Sequence, residues 1–209
     1  MDIRKVYYIN LEKNKRRKIN FEKNYYNNPI VNKKIIPLQR VSGVLVDKLP
    51  PNIKIRKGQY GCSLAHLKIL KHISTKKKKG WYLICEDDCT GNFSIIPKKL
   101  NFVNYLPFIN AVNLGGLIEV KEIFEKININ IGSYNVPFPF GFGVNLHGYL
   151  VTPEGANKMY NIIKKTVLEV PCDVALINSV SMYFTSFHFR NILKQNKKLE
   201  SDIQKYNLL

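Results

Sequence analysis

Apolar positions along the chain fall into short runs that alternate with amphipathic stretches. KVYYIN (5–10), apolar with β-branched and aromatic residues, predicts a first strand. LEKNKRRKINFEKNYY follows as a charged helical stretch carrying Ile19 and Phe21, stopped by Asn27, Asn28 and Pro29. KKIIPLQRV (33–41) predicts a second strand closed by Ser42 and Gly43. In GQYGCSLAHLKILKHI (58–73), Tyr60, Leu64, Leu67 and Leu70 recur at helical spacing and predict the buried face of a helix. WYLICE (81–86) is almost continuously apolar, as suits a central strand covered on both faces.

NFVNYLPFINAVNLGG (101–116) predicts a further strand ending in a glycine turn, and residues 117–146, with VPFPFGFG, a long functional loop. HGYLVT (147–152) is a strand, Pro153 opens a helix to about Lys165, VPCDVALINSV starts another with Asp173 near its N-terminus, and MYFTSFHF (182–189) is a late strand. Alternating strands and helices without repeats or linkers predict one α/β domain spanning residues 1–209. Active sites of such sheets lie at the carboxyl ends of the strands.

Charge changes the picture more than composition does. Hydrophobic content of 45% and aromatic content of 11% are globular values and exclude a disordered chain. The 33 basic and 15 acidic residues leave a net charge of +18, which draws anionic partners toward the surface without choosing among them. Runs such as KNKRRK (13–18) and KKKK (76–79) come with no RNA-recognition or helix-turn-helix signature, so a nucleic-acid-binding role rests on charge alone. The N-terminal stretch has no apolar core of signal-peptide length and no stretch approaches the ~18 apolar residues of a membrane span, which points to a cytoplasmic setting. Cys62, Cys85, Cys89 and Cys172 then read as reduced thiols. Cys62, His66, Cys85 and Cys89 could formally supply four zinc ligands, but the apolar surroundings of Cys85 favour ordinary packing.

Against this basic background, Glu86, Asp87 and Asp88 stand side by side where the apolar run 81–85 ends. Three carboxylates at one strand end repel each other unless a cation or several donors neutralise them. Hard divalent ions take such oxygens and leave positions for substrate phosphates, so one reading is a site for a metal–diphosphate complex. The other is a solvated acidic turn or a helix cap.

The neighbouring segments VYYINLEKNKRRK, RVSG, GQYGCSLAHLKILKHI, LICEDD, NLHGYLVTPEGANKMY, VPCDVAL and KLESDIQ together resemble, in this order, glycosyltransferase family 25. That family includes bacterial lipooligosaccharide galactosyltransferases and collagen β-galactosyltransferases. The resemblance implies a single GT-A-type, Rossmann-like domain with a mostly parallel central sheet flanked by helices. It implies transfer of a hexose, glucose or galactose, from a UDP-sugar to a hydroxyl of a glycan or hydroxylated acceptor, with inversion and with Mn²⁺ or Mg²⁺, in glycan or lipopolysaccharide synthesis.

Residue by residue, it places Glu86 and Asp88 on the metal, with His188 as a candidate third ligand and His147 as a further contact. Asn10, Leu11 and Arg17 correspond to the N-terminal nucleotide-binding turn, and Ser42, Gly43, His66 and Asp87 to further nucleotide-sugar contacts. Asp173 corresponds to the catalytic base, with capping of its helix as the plain alternative. Two departures stand out: Ala65 where Ser is usual, and Ser42 where Asp is usual. The rival readings are a catalytically silent UDP- or glycan-binding module of the same fold and a basic nucleic-acid-binding protein. The basic surface also suits an anionic acceptor or a peripheral membrane contact.

Overall fold

The computed structural model describes residues 1–115, 146–179, 186–188, 192–196 and 199. The expected loop at 117–146, apart from Leu146, and the KLESDIQ segment apart from Leu199 lie outside the described residues. The strands of the main sheet are β1 (Ile3–Asn10), β4 (Leu38–Ser42), β5 (Trp81–Glu86), β7 (Ala111–Asn113), β8 (Gly148–Val151) and β9 (Ser186–His188), in the spatial order β4-β1-β5-β8-β7-β9. β1 pairs in parallel with β4 and β5, and β7 in parallel with β9. Among the described strands of this sheet, β8 alone runs against its neighbours, β5 and β7. The sheet is thus mostly parallel and flanked by helices, as expected.

Side-chain alternation along the strands sorts the core into two layers. On one face Val6 and Tyr8 of β1 and Leu83 and Cys85 of β5 pack with Phe21 and Tyr25 of helix α1 (Lys15–Asn27) and with Phe93 and Ile96. Phe21 stacks on Tyr8 at 4.7 Å between ring centroids, a geometry that holds α1 against β1. On the other face Tyr7, Tyr82 and Ile84 pack with Ile69, Leu70 and Ile73 of α2 (Lys57–Ser74). Ala156, Met159 and Ile163 of a second helix on this face, Pro153–Thr166, complete the layer. That helix starts as its sequence dictates: Thr152 caps it by accepting from the Gly155 amide at 3.1 Å, and Pro153 occupies the first turn.

Three expectations need correction. The segment 33–41 is not one strand: β2 (Val31–Asn32) and β3 (Lys34–Ile35) form a small hairpin before β4. Lys33 sits at a φ of 60°, a left-handed turn that no continuous strand tolerates. The segment 101–116 opens with a 3₁₀ turn (Asn101–Tyr105), and β7 forms only after Pro107, at Ala111.

The buried face of α2 also differs. It carries Gly61, Ser63, Ala65, His66, Ile69, Leu70 and Ile73, with Tyr60, Leu64 and Leu67 only partly covered. Small residues set this face, because α2 lies against the loop after β4. A Cβ on Gly61 would stand 2.3 Å from the Val44 carbonyl oxygen. No described helix is long and apolar enough to cross a membrane.

Three short elements finish the frame around β5. The turn after it leads to β6 (Cys89–Gly91), which pairs antiparallel with β10 (Leu193–Gln195). The short α3 (Ile96–Lys99) follows β6. With the Pro153–Thr166 helix as α4, the helix Cys172–Ile177 is α5.

Candidate functional site

β1, β4 and β5 all end on one side of the sheet, and a cleft of about 420 Å³ opens there. Its lining brings together Asn10, Leu11, Arg17, Gly43, Glu86, Asp87, Asp88 and Asp173, residues drawn from well-separated segments of the sequence. Ser42 pairs with Asn10 across β1 and β4 but is exposed and stands outside the lining. Gly43 takes its place, donating its amide to the Asn10 carbonyl at 3.0 Å. His66 is fully buried behind the wall. His188 aligns with Asn113 across β7 and β9, and its side chain lies outside the described residues.

The acidic triplet does not converge on one centre. Glu86 ends β5 pointing at α2, where its Oε1 accepts from Cys62 Sγ at 3.3 Å and lies 3.3 Å from His66 Nε2. Asp87 and Asp88, in the turn, face α1 instead. Arg17 Nη2 lies 2.5 Å from Asp87 Oδ1 and 3.1 Å from Asp88 Oδ2. Asn10 Nδ2 donates to Asp87 Oδ2 at 2.7 Å, and Gln195 Nε2 to Asp88 Oδ2 at 3.0 Å. Arg17 is thus no solvated helix residue: its side chain is 14% exposed and its charge faces the two aspartates.

Burial raises both aspartates. It pushes the Asp87 carboxyl up to about 7, against the pull of Arg17 and Asn10. Asp88 rises too, by burial first and by the Glu86 charge second. Glu86 goes the other way. Burial alone would lift it, but the hydrogen bonds and charge of His66 and the Cys62 bond hold it below the usual carboxylate range. His66 correspondingly rises: burial opposes its charge, and the Glu86 bond with neighbouring negative charge outweighs that.

Two polar groups stay unmatched beside this network. Asp88 Oδ1 and both ring nitrogens of His147 are buried with no hydrogen-bond partner among the described residues. His147 immediately precedes β8, and its carbonyl accepts from the Glu86 amide at 3.0 Å, which fixes it across from the triplet. Orphaned buried groups of this kind carry a full desolvation cost unless a ligand completes them. A carboxylate oxygen and an imidazole form a donor set that a divalent cation such as Mn²⁺ accepts, so the residues fit the expected ion.

Asp173 lies in the first turn of α5, where its Oδ1 accepts from the Val174 amide at 2.9 Å. The Cys172 amide donates to Ser63 Oγ at 3.1 Å and ties this helix start to α2. The formal zinc tetrad does not assemble. Cys85 and Cys89 belong to the α1 face of the sheet, while Cys62 packs on the opposite face. What gathers instead is Cys62, His66 and Cys172, whose donor atoms all lie within 4.8 Å of one another.

Two residues of this site were not singled out from the sequence. Arg40 donates to Asn10 Oδ1 at 2.9 Å and so orients the amide that meets Asp87. A basic residue near a strand end is the only sequence signal for it. Gln195 reaches Asp88 through the β6–β10 pairing, a long-range contact with no local signature.

The fold has known counterparts. The chain superposes on an active-site mutant of LgtC with a TM-score of 0.50 at 10% identity, covering 98% of this chain and 94% of that one. A glycosyltransferase involved in glycosylation of the major capsid of PBCV-1 matches over 100% of both chains, with a TM-score of 0.46 and 8% identity. No family model matches the chain, and no curated protein matches it by sequence. The α/β architecture is that of GT-A-like glycosyltransferases.

Proposed function

We propose that the protein transfers a hexose from a UDP-sugar to a hydroxyl acceptor, with inversion, at the cleft where β1, β4 and β5 end. The supporting observation is the pair of unmatched groups in that cleft, Asp88 Oδ1 and His147, beside an acidic turn at strand ends. Asp88 and His147 would hold the divalent ion, with His188 as a candidate addition, while Glu86, expected on the same ion, is turned to Cys62 and His66 instead. When bound, the ion neutralises charge building on the leaving diphosphate.

The chain's own groups do the rest. The ends of β1 and β4 at Asn10, Leu11 and Gly43 give an edge for the nucleoside. Asp173, lining the cleft, takes the proton of the acceptor hydroxyl as the new C–O bond forms. A UDP-release assay with UDP-glucose, UDP-galactose, UDP-GlcNAc and UDP-GalNAc in Mn²⁺ tests this. Metal-dependent UDP release with at least one hexose donor supports it, and no release from any donor overturns it.

One observation favours a second reading. Arg17 already bridges Asp87 and Asp88, so the acidic turn has a cationic partner without a metal. A silent UDP- or glycan-binding module would keep this clamp closed. It would bind UDP without a divalent ion and never turn over.

A further inference from the structure

On the α2 side of the cleft wall, four donors that the sugar-transfer reading does not require come together. Cys62, His66 and Cys172 place their donor atoms within 4.8 Å of one another. Glu86 Oε1 lies 3.3 Å from both Cys62 Sγ and His66 Nε2. Bonds of about 2.0–2.3 Å to a tetrahedral zinc ion put its donors about 3.3–3.8 Å apart. The two Glu86 contacts, to Cys62 and His66, already have that spacing, and Cys62, His66 and Cys172 need to draw in toward one another by up to about an ångström. We propose that Cys62, His66 and Cys172, closed by Glu86, form a structural zinc site that pins α2 to the ends of β5 and α5.

The surroundings are built for such a site. The Tyr149 hydroxyl lies 2.9 Å from His66 Nδ1 and holds the ring, while Nε2 faces Glu86 Oε1 at 3.3 Å. Ser63 accepts from the Cys172 amide and fixes the second thiol over α2. The donors lie on regular elements, with His66 and Cys172 buried and Cys62 and Glu86 partly open to the cleft.

The donor types choose the metal. Two thiolates and an imidazole are soft and borderline ligands, which favour Zn²⁺ over Mn²⁺ or Mg²⁺. A carboxylate in the fourth position leaves no open place for water, so the ion is structural and does not polarise substrate. Loading forms two Zn–S bonds and releases the two thiol protons to solvent. Glu86 is then committed to zinc, and Asp88 with His147 remain for the hard cation. The inference stands on donor geometry and holds whether or not sugar is transferred.

Metal analysis of the full chain, purified without chelator, is the first measurement, and reloading of the stripped protein with Co²⁺ is the second. The expected results are close to one zinc per chain and, with Co²⁺, a thiolate-to-cobalt charge-transfer band with the visible bands of tetrahedral coordination. Cys172→Ser should lose about half of the charge-transfer intensity, one of two thiolates being gone, while Cys85→Ala keeps all of it. Should Cys172→Ser fail to fold, the wild-type cobalt spectrum decides alone. Three results overturn the site: less than about a tenth of an equivalent of zinc with no cobalt–thiolate band, a band undiminished in a folded Cys172→Ser variant, or a Cys62–Cys172 disulfide in the freshly purified protein.

Discussion

One guanidinium nitrogen, Arg17 Nη2, holds two carboxylates at once, Asp87 at 2.5 Å and Asp88 at 3.1 Å. All three side chains are largely buried, so the clamp is an internal ion cluster and not a surface pair. Removing one partner of a buried ion pair strands the other charge. Arg17→Ala should therefore lower stability in chelator by about 3 kcal/mol. Mn²⁺ should recover much of that loss, because a divalent cation replaces the missing charge. Urea denaturation with EDTA and with Mn²⁺ reads both effects. A variant as stable as the wild type would show that the clamp contributes nothing.

Asp87 makes stability depend on pH with a definite sign. Its folded-state carboxyl titrates near 7, above the ordinary value of 3.8, so the folded protein holds this proton where the unfolded chain has lost it. The contribution is fully present below about pH 4 and disappears as pH rises through about 7. Asn at this position cannot titrate. The melting temperature of Asp87→Asn relative to wild type should therefore shift in the variant's favour between about pH 5 and pH 8, measured in EDTA. A difference that stays constant over this range would mean Asp87 is ionised throughout.

The central strands and most helices were legible because their signals are local. WYLICE reads as a central strand from its apolar run alone, and Thr152-Pro153 announces the start of α4. The gathering of Asn10, Asp87, Asp88 and Asp173 followed from the ordered segments around them. What escaped was set by tertiary contact. The face of α2 turned away from Tyr60 and Leu64 because Gly61 meets the Val44 carbonyl. The split of the triplet depends on which helix each carboxylate faces, and spacing along β5 carries no such information. Cys172 joins Cys62 only because α5 docks on α2, so the sulfur cluster was out of reach from spacing while the tetrad with Cys85 and Cys89 was not.

Binding and turnover should separate between two residues of the cleft. Asp88 carries the orphaned oxygen, so Asp88→Ala should abolish Mn²⁺-dependent UDP binding, seen by calorimetry as loss of heat in the presence of metal. Asp173 lines the cleft from the first turn of α5. Asp173→Ala should bind the UDP-sugar with unchanged affinity and lose transfer by at least about a hundredfold, the low end for loss of a general base. Full transfer by Asp173→Ala would leave its carboxylate only the role of helix cap.

Tyr149 tests the support behind His66. Its hydroxyl meets His66 Nδ1 at 2.9 Å in a fully buried contact. Tyr149→Phe keeps the ring and removes the oxygen, leaving that nitrogen without its partner. The cost should be about 1–3 kcal/mol by urea denaturation, the desolvation penalty of one buried polar group. A neutral substitution would show that another group satisfies the imidazole.

Gly61 offers a purely steric test of how the cleft wall is set. A methyl group there would lie 2.3 Å from the Val44 carbonyl oxygen, far inside contact distance, and the atom it meets is backbone and cannot swing away. Val44, Leu45 and Val46 line the cleft, so any relief of the clash moves the wall itself. Gly61→Ala should cost about 1–3 kcal/mol, as overpacking of a tight contact does. Nucleotide affinity should fall in the same variant, since Gly43, packed on Leu11, immediately precedes Val44 in that loop. Thermal denaturation and UDP calorimetry on one preparation read both quantities. A loss of stability with unchanged affinity would place the Val44 loop outside the nucleotide site and leave the ends of β1 and β5 as its boundary.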